Sequence, residues 1–124
     1  MSRGKSSYRD LEVWQRACEL AVDVYRLTEG YPQRETYGLT SQMRRCATSV
    51  PANIAEGRGR HNDGDFVRFL CIAAGSLAEL ETFIELSRRL NFASEGDLVP
   101  LEQAAEEVGR MLHGLMAAIR SASA

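Results

Sequence analysis

The residues best suited to chemistry in this chain lie together, in RRCATSVPANIAEGRGRH at residues 44–61. The stretch holds four arginines, a glutamate, an asparagine, a thiol and one of the two histidines. Gln42, Arg45, Ser49, Asn53, Glu56 and Arg60 are spaced by three and four residues, so on a helix they share one face. Glu56 ahead of Arg60 has the favourable orientation for an i,i+4 ion pair, worth about 0.3–0.5 kcal/mol. Ala47, Ala52, Ala55 and Gly57 flank that stripe, and small residues let another backbone come close. A solvated face is one reading. The reading favoured here is a polar network at a helix–helix or subunit contact, built from Arg45, Asn53 and Glu56. Ser76 and Glu79, in AAGSLAELE, would answer it from another helix, with Glu79 as partner to Arg45 or Arg60. Arg44, Arg58, Arg60 and His61 are the candidate contacts for an anion or a nucleic acid.

Catalytic constellations are missing from the sequence. His61 and His113 lack the Glu three residues earlier that a di-iron bundle needs. No phosphate-binding Gly-rich loop, H-E-x-x-H or G-x-S-x-G string occurs. Cys18, Cys46 and Cys71 sit in separate apolar segments without a C-x-x-C pair, so they are expected as buried, reduced thiols. His113 is expected as a half-exposed helix residue. The residues point to a non-enzyme with no metal and no cofactor.

The rest of the chain must position that stretch. It has 124 residues, enough for one domain with a real core, 44% of them apolar and 26% charged. No apolar run approaches the roughly 18 residues of a membrane span. The N-terminus MSRGKSSYRD has no apolar stretch behind its basic residues, so a cytoplasmic protein is expected. Net charge is −2, which gives no global attraction for nucleic acid. Charge is distributed unevenly. Residues 31–60 hold five arginines against two glutamates, and residues 93–124 hold two arginines against five acids.

Apolar periodicity predicts helices over roughly 9–29, 36–60, 63–91 and 95–121. Gly30 and Pro32 are placed to stop the first, Asn62 or Asp63 to cap the third, and Ser94 to cap the fourth. Leu98, Leu101, Ala105, Val108, Leu112, Leu115 and Ile119 form a heptad-like seam. These elements predict an all-α, antiparallel up-down-up-down four-helix bundle over residues 9–122, preceded by a flexible N-terminus at 1–8. Pro51 removes a donor and crowds the carbonyl of Ala47, at about 3 kcal/mol in a helix interior. Either a second helix starts near it or one helix kinks. The apolar stripe of Met43, Cys46, Val50 and Ile54 keeps its phase across it, favouring one kinked helix. Thr48 and Ser49 are placed to bond the freed backbone, and Gly57 and Gly59 to end the helix.

The first and third helices carry wider apolar arcs than a lone bundle buries. Phe69, Ile72, Phe83 and Leu86 are left facing outward, and such patches mark partner surfaces. Self-association is expected through the first or third helix.

Three strings, LEVWQRACELAVDVY, YGLTSQMRRCATSVPANIAEGRGR and FVRFLCIAAGSLAELET, together resemble a family of four-helix-bundle proteins. It includes proteins encoded in intervening sequences of bacterial large-subunit rRNA genes and the accessory variability determinant of diversity-generating retroelements. The resemblance spans residues 8–122, with VPANIAEG as its most specific string. It implies an antiparallel bundle assembled into a homopentameric barrel. In the retroelement relatives it implies a strongly basic barrel that binds nucleic acid and a reverse transcriptase. Arg44, Arg58 and Arg60 are the positions here that would carry such binding. Arg45, Asn53, Glu56, Ser76 and Glu79 match the family motif as structural positions. A non-enzymatic homo-oligomeric scaffold or adaptor is therefore expected, with a nucleic-acid-binding accessory protein as the alternative.

Overall fold

Four helices carry the chain: α1 (Glu12–Thr28), α2 (Leu39–Arg58), α3 (Asp63–Arg89) and α4 (Glu95–Ser123). The structure is a computed structural model and describes residues 7–123, among which no strand occurs. The predicted flexible start lies mostly outside these residues. Its end does not: Ser7 Oγ accepts from the Arg9 amide at 3.0 Å and caps a 3-10 turn at Tyr8–Asp10. Tyr8 sits edge-on to Trp14 at 5.1 Å. Leu11 is extended, so α1 starts three residues later than the periodicity predicted.

The core follows the apolar patterns. α1 buries Val13, Ala17, Leu20, Ala21 and Val24, while Tyr25, on the other predicted stripe, is exposed. α2 buries Met43, Cys46, Val50 and Ile54, and α3 buries Phe66, Leu70, Ala73, Leu77, Leu80 and Ile84. α4 follows its predicted seam to Leu112 and then departs: Met116 is buried, while Leu115 and Ile119 are half-buried. A straight helix drifts about 20° per heptad against a strict 3.5 repeat, and at about 3.6 residues per turn it is Met116, about five full turns after Leu98, that comes back into line rather than Leu115.

α1 packs on α2 and α4, α3 packs on the same two, and α1 does not meet α3. The helices thus occupy four corners with α1 and α3 diagonal. Between α3 and α4, Asp63 meets Ser123, Cys71 meets Met116 and Arg88 meets Glu102. Between α2 and α3, Met43 meets Ser87 and Ser49 meets Ser76. In both pairs the partner number falls as the first rises, the pattern of neighbours running in opposite directions.

The helix ends explain the connections. Asn62 Oδ1 accepts from the Asp65 amide at 2.8 Å and starts α3. Ser94 Oγ accepts from the Asp97 amide at 3.3 Å and starts α4. α3 closes with a Schellman motif: Phe92 N–H reaches Ser87 O at 3.0 Å and Asn91 N–H reaches Arg88 O at 3.1 Å. Asn91 takes the left-handed conformation there, with φ 59°. α2 starts later than predicted because Gly38, at φ −109° and ψ −116°, breaks the helical path. Glu35 then bonds the Leu39 amide at 3.0 Å through its carboxylate.

Candidate functional site

The predicted polar stripe lies on α2 against α3, but its members do not form one network. Ser49 is the centre. Its hydroxyl meets Ser76 Oγ at 2.9 Å, and Asn53 Nδ2 donates to Ser49 Oγ at 2.9 Å and to Ser49 O at 2.8 Å. Ser76 is buried, so this short chain stitches α2 to α3. The charged members stay outside it. Arg60 pairs with Glu56 at 2.8 Å and Arg45 bonds Gln42. Glu79 is exposed and is not the partner of Arg45 or Arg60 that the spacing suggested. Arg45 and Arg60 each meet an acceptor three or four residues earlier in the chain instead.

α2 runs unbroken through Pro51. Thr48 and Ser49 do not serve the freed carbonyl of Ala47: Thr48 bonds Arg44 O at 2.9 Å and Arg45 O at 3.1 Å, and Ser49 faces Ser76. Gly57 does not end the helix. It is buried inside α2, where an added Cβ would lie 2.8 Å from Phe69 Cβ and 3.0 Å from Phe66 Cδ1. Gly59 is the residue at which α2 stops.

The candidate anion contacts fall at opposite ends of the molecule. Arg58 stands 5.9 Å from the Phe66 ring centroid. Arg60 and Arg68 both cover Phe69, at 4.8 and 4.5 Å. His61 is exposed beside them in the α2–α3 turn. Arg44 is fourteen residues back along α2, about 21 Å at 1.5 Å per residue. There its Nε donates to Thr28 Oγ1 at 2.9 Å, its Nη2 donates to Tyr25 O at 3.2 Å, and its guanidinium stacks 4.5 Å over Tyr25. Arg44 therefore closes the C-terminal end of α1 and belongs to a different surface from Arg58 and Arg60.

The four candidate interface residues also divide. Ile72 and Leu86 are 42% and 41% exposed, and Leu90, 54% exposed, continues their line on α3. Phe83 is half-buried against the core. Phe69 is half-buried beneath its two arginines, so it presents guanidinium rather than ring to a partner.

The thiols differ from one another. All three are free. Cys46 is buried, and burial, with the charge of Glu79 adding to it, pushes its pKa up to about 11. Burial also raises the pKa of the half-buried Cys18. Cys71 is exposed, contrary to the sequence expectation, with its Sγ 3.6 Å from Met116 Sδ. Its position in an apolar run hid the fact that it lies one step off the buried line through Leu70 and Ala73. His113 is exposed and bonds Gly109 O at 2.9 Å. No group of three or more His, Cys, Asp or Glu is arranged to hold a metal among the described residues. No helix among them is long and apolar enough to cross a membrane.

Sequence reasoning missed the surface at the Arg44 end. The connection from α1 to α2 and the first turns of α2 enclose a groove of about 690 Å³. Tyr37, 95% exposed, stands at it. The signal was present in YPQRETYG, a polar loop with a tyrosine near each end.

A model of the 23S rRNA-intervening sequence protein family matches residues 9–114. No curated protein matches the chain. The chain is also similar to a crystal structure from Bacteroides thetaiotaomicron VPI-5482, described as a protein with unknown function from the S23 ribosomal protein family. The two share 23% identity and a TM-score of 0.76 over 84% of this chain and 97% of that one, a likeness that speaks to fold alone. With the family model covering most of α1 to α4, the chain belongs to the 23S rRNA-intervening sequence protein family.

Proposed function

We propose that the protein is a non-enzymatic, self-associating helical scaffold or adaptor of the cytoplasm, assembled as the ring of five that its family resemblance implies. The observation that carries this reading is the exposed apolar line Ile72, Leu86 and Leu90 on α3, which a monomer would leave in water. α1 contributes a second apolar surface through Val22 and Tyr25, both exposed. α1 and α3 sit at diagonal corners, so a contact between these unlike faces is head-to-tail. Such contacts generate closed rings when the rotation closes. Charge supports the same surface: Glu79 on α3 makes no ion pair among the described residues, and Arg45 on α2 bonds only Gln42. Each is available to its opposite number in a neighbouring copy.

Size-exclusion chromatography with light scattering tests the proposal. The wild type is expected as an oligomer at micromolar concentration, and the double variant Ile72→Glu/Leu86→Glu as a folded monomer. Glu79→Arg is expected to weaken assembly and Glu79→Arg/Arg45→Glu to restore it. A wild-type monomer at these concentrations defeats the proposal.

A second reading, an accessory protein acting on RNA or DNA or alongside a reverse transcriptase, is favoured by one observation. Arg58, Arg60, Arg68 and His61 gather at the α2–α3 turn. Gel shifts over a salt series test it, since phosphate contacts lose affinity steeply as salt rises. Absence of a shift at low salt removes this reading.

A further inference from the structure

We propose that the groove between the α1–α2 connection and the first turns of α2 binds a small planar anion of the nucleotide class. It goes beyond self-association: Tyr37 and Arg44 belong to the groove and to neither assembly surface, while Tyr25 and Arg45 also lie on the surfaces proposed for assembly. At about 690 Å³ the groove falls within the size range of small-molecule sites. Two kinds of group meet in it. Tyr25 and Tyr37 supply aromatic surface, and Arg44 and Arg45 supply charge, with Glu29 the one carboxylate in the lining. Arg44 is held in advance: Thr28 and the Tyr25 carbonyl fix two of its nitrogens while its plane lies on the Tyr25 ring. Its Nη1 makes no hydrogen bond among the described residues, and no carboxylate pairs with it.

Closing the end of α1 accounts for Arg44, but not for what surrounds it. Tyr37 is 95% exposed in a turn, so its ring contributes almost nothing to the core. Arg45 has only a neutral partner, Gln42. A neutral ring in the groove would leave Arg44 Nη1 and the charge of Arg45 unanswered, and a bare inorganic anion would leave the Tyr37 ring unused. A ring carrying a phosphate answers both: the ring stacks on Tyr37, and the phosphate takes donors from Arg44 Nη1 and Arg45. Ser41, also in the lining, offers a hydroxyl to the sugar or the phosphate.

Isothermal titration of the full chain with AMP, adenosine and inorganic phosphate tests this. AMP is expected to bind saturably with a Kd below about 1 mM, with adenosine and phosphate each at least about tenfold weaker. Tyr37→Ala and Arg45→Gln lie on the surface and are expected to keep the circular dichroism of the wild type while each weakens AMP about tenfold. The proposal is overturned if AMP fails to saturate by about 10 mM. It is equally overturned if AMP binding survives both substitutions unchanged, or if only an oligonucleotide, and no mononucleotide, depends on Tyr37.

Discussion

Gly57 lies so near α3 that any side chain there must displace Phe66 or Phe69. Gly57→Ala gains roughly 1 kcal/mol of helix propensity, yet overpacking a filled contact costs about 1–3 kcal/mol. A net loss of thermal stability is expected. Gly114 on α4 is the opposite case: it is exposed, and an added Cβ would meet nothing within 4 Å. Gly114→Ala is expected to stabilise by about 0.5–1 kcal/mol. Paired thermal melts check both signs, and a stabilising Gly57→Ala would show that the contact gives way. The contrast was not legible in the sequence. Gly57 looked like a helix terminator because the sequence shows a glycine before Arg-Gly-Arg, not the phenylalanines that the turn at 59–62 folds back onto it.

One arginine bridges the turn between α3 and α4. Arg88 donates to Glu95 at 2.8 Å, to Glu85 at 2.7 Å and to Glu102 at 3.0 Å, bridging the turn at 90–94. Two carboxylates of α3 respond to pH in opposite senses. Arg89 first, and then Arg88, hold Glu85 below the usual carboxylate range. Its stabilising effect is present at neutral pH and is lost as pH falls through the lowered pKa. Burial first, with Glu106 and Glu102 adding, pushes Glu81 up. A carboxyl with a raised pKa binds its proton more tightly when folded, so stability falls as pH rises from the ordinary carboxylate value through the raised one. Glu81→Gln is therefore expected to raise the melting temperature at pH 7, with the gain disappearing toward pH 3.5, where both states hold the proton. A gain that persists at low pH would assign the effect to packing.

Element boundaries were largely readable, because each rests on local chemistry. Asn62 and Ser94 cap where predicted, and Asn91 closes α3 through its own backbone. Ser76 does answer the α2 stripe from α3, through Ser49, but the charged partners across helices were not readable. Spacing along α2 and along α3 puts Arg45 and Glu79 on usable faces without deciding which acceptor a guanidinium meets first.

On the scale of the molecule, the unanswered surfaces are the outward faces of α1 and α3 and the Tyr37 end. If copies assemble through these helix faces, folding and association are one equilibrium, and the melting temperature rises with protein concentration. Differential scanning calorimetry over a hundredfold dilution is expected to show that shift in the wild type and none in Ile72→Glu/Leu86→Glu. The fold class was visible in the periodicity, and an up-down-up-down order with short connections already sets α1 diagonal to α3, as the helix contacts have it; which outward residues stay exposed emerged only from the packing. The α2–α3 join has a kinetic consequence as well. Only four residues separate α2 from α3, and Ser49, Gly57 and Phe69 lock the two together across that short span. Closing so small a loop gives up little chain entropy, so this helical hairpin is expected to form early and template the arrival of α1 and α4. In that order of events Gly57→Ala slows refolding, while substitutions in the α1–α4 contact, such as Arg16→Ala opposite Glu107, chiefly quicken unfolding. Stopped-flow chevrons showing the reverse would place the first step elsewhere.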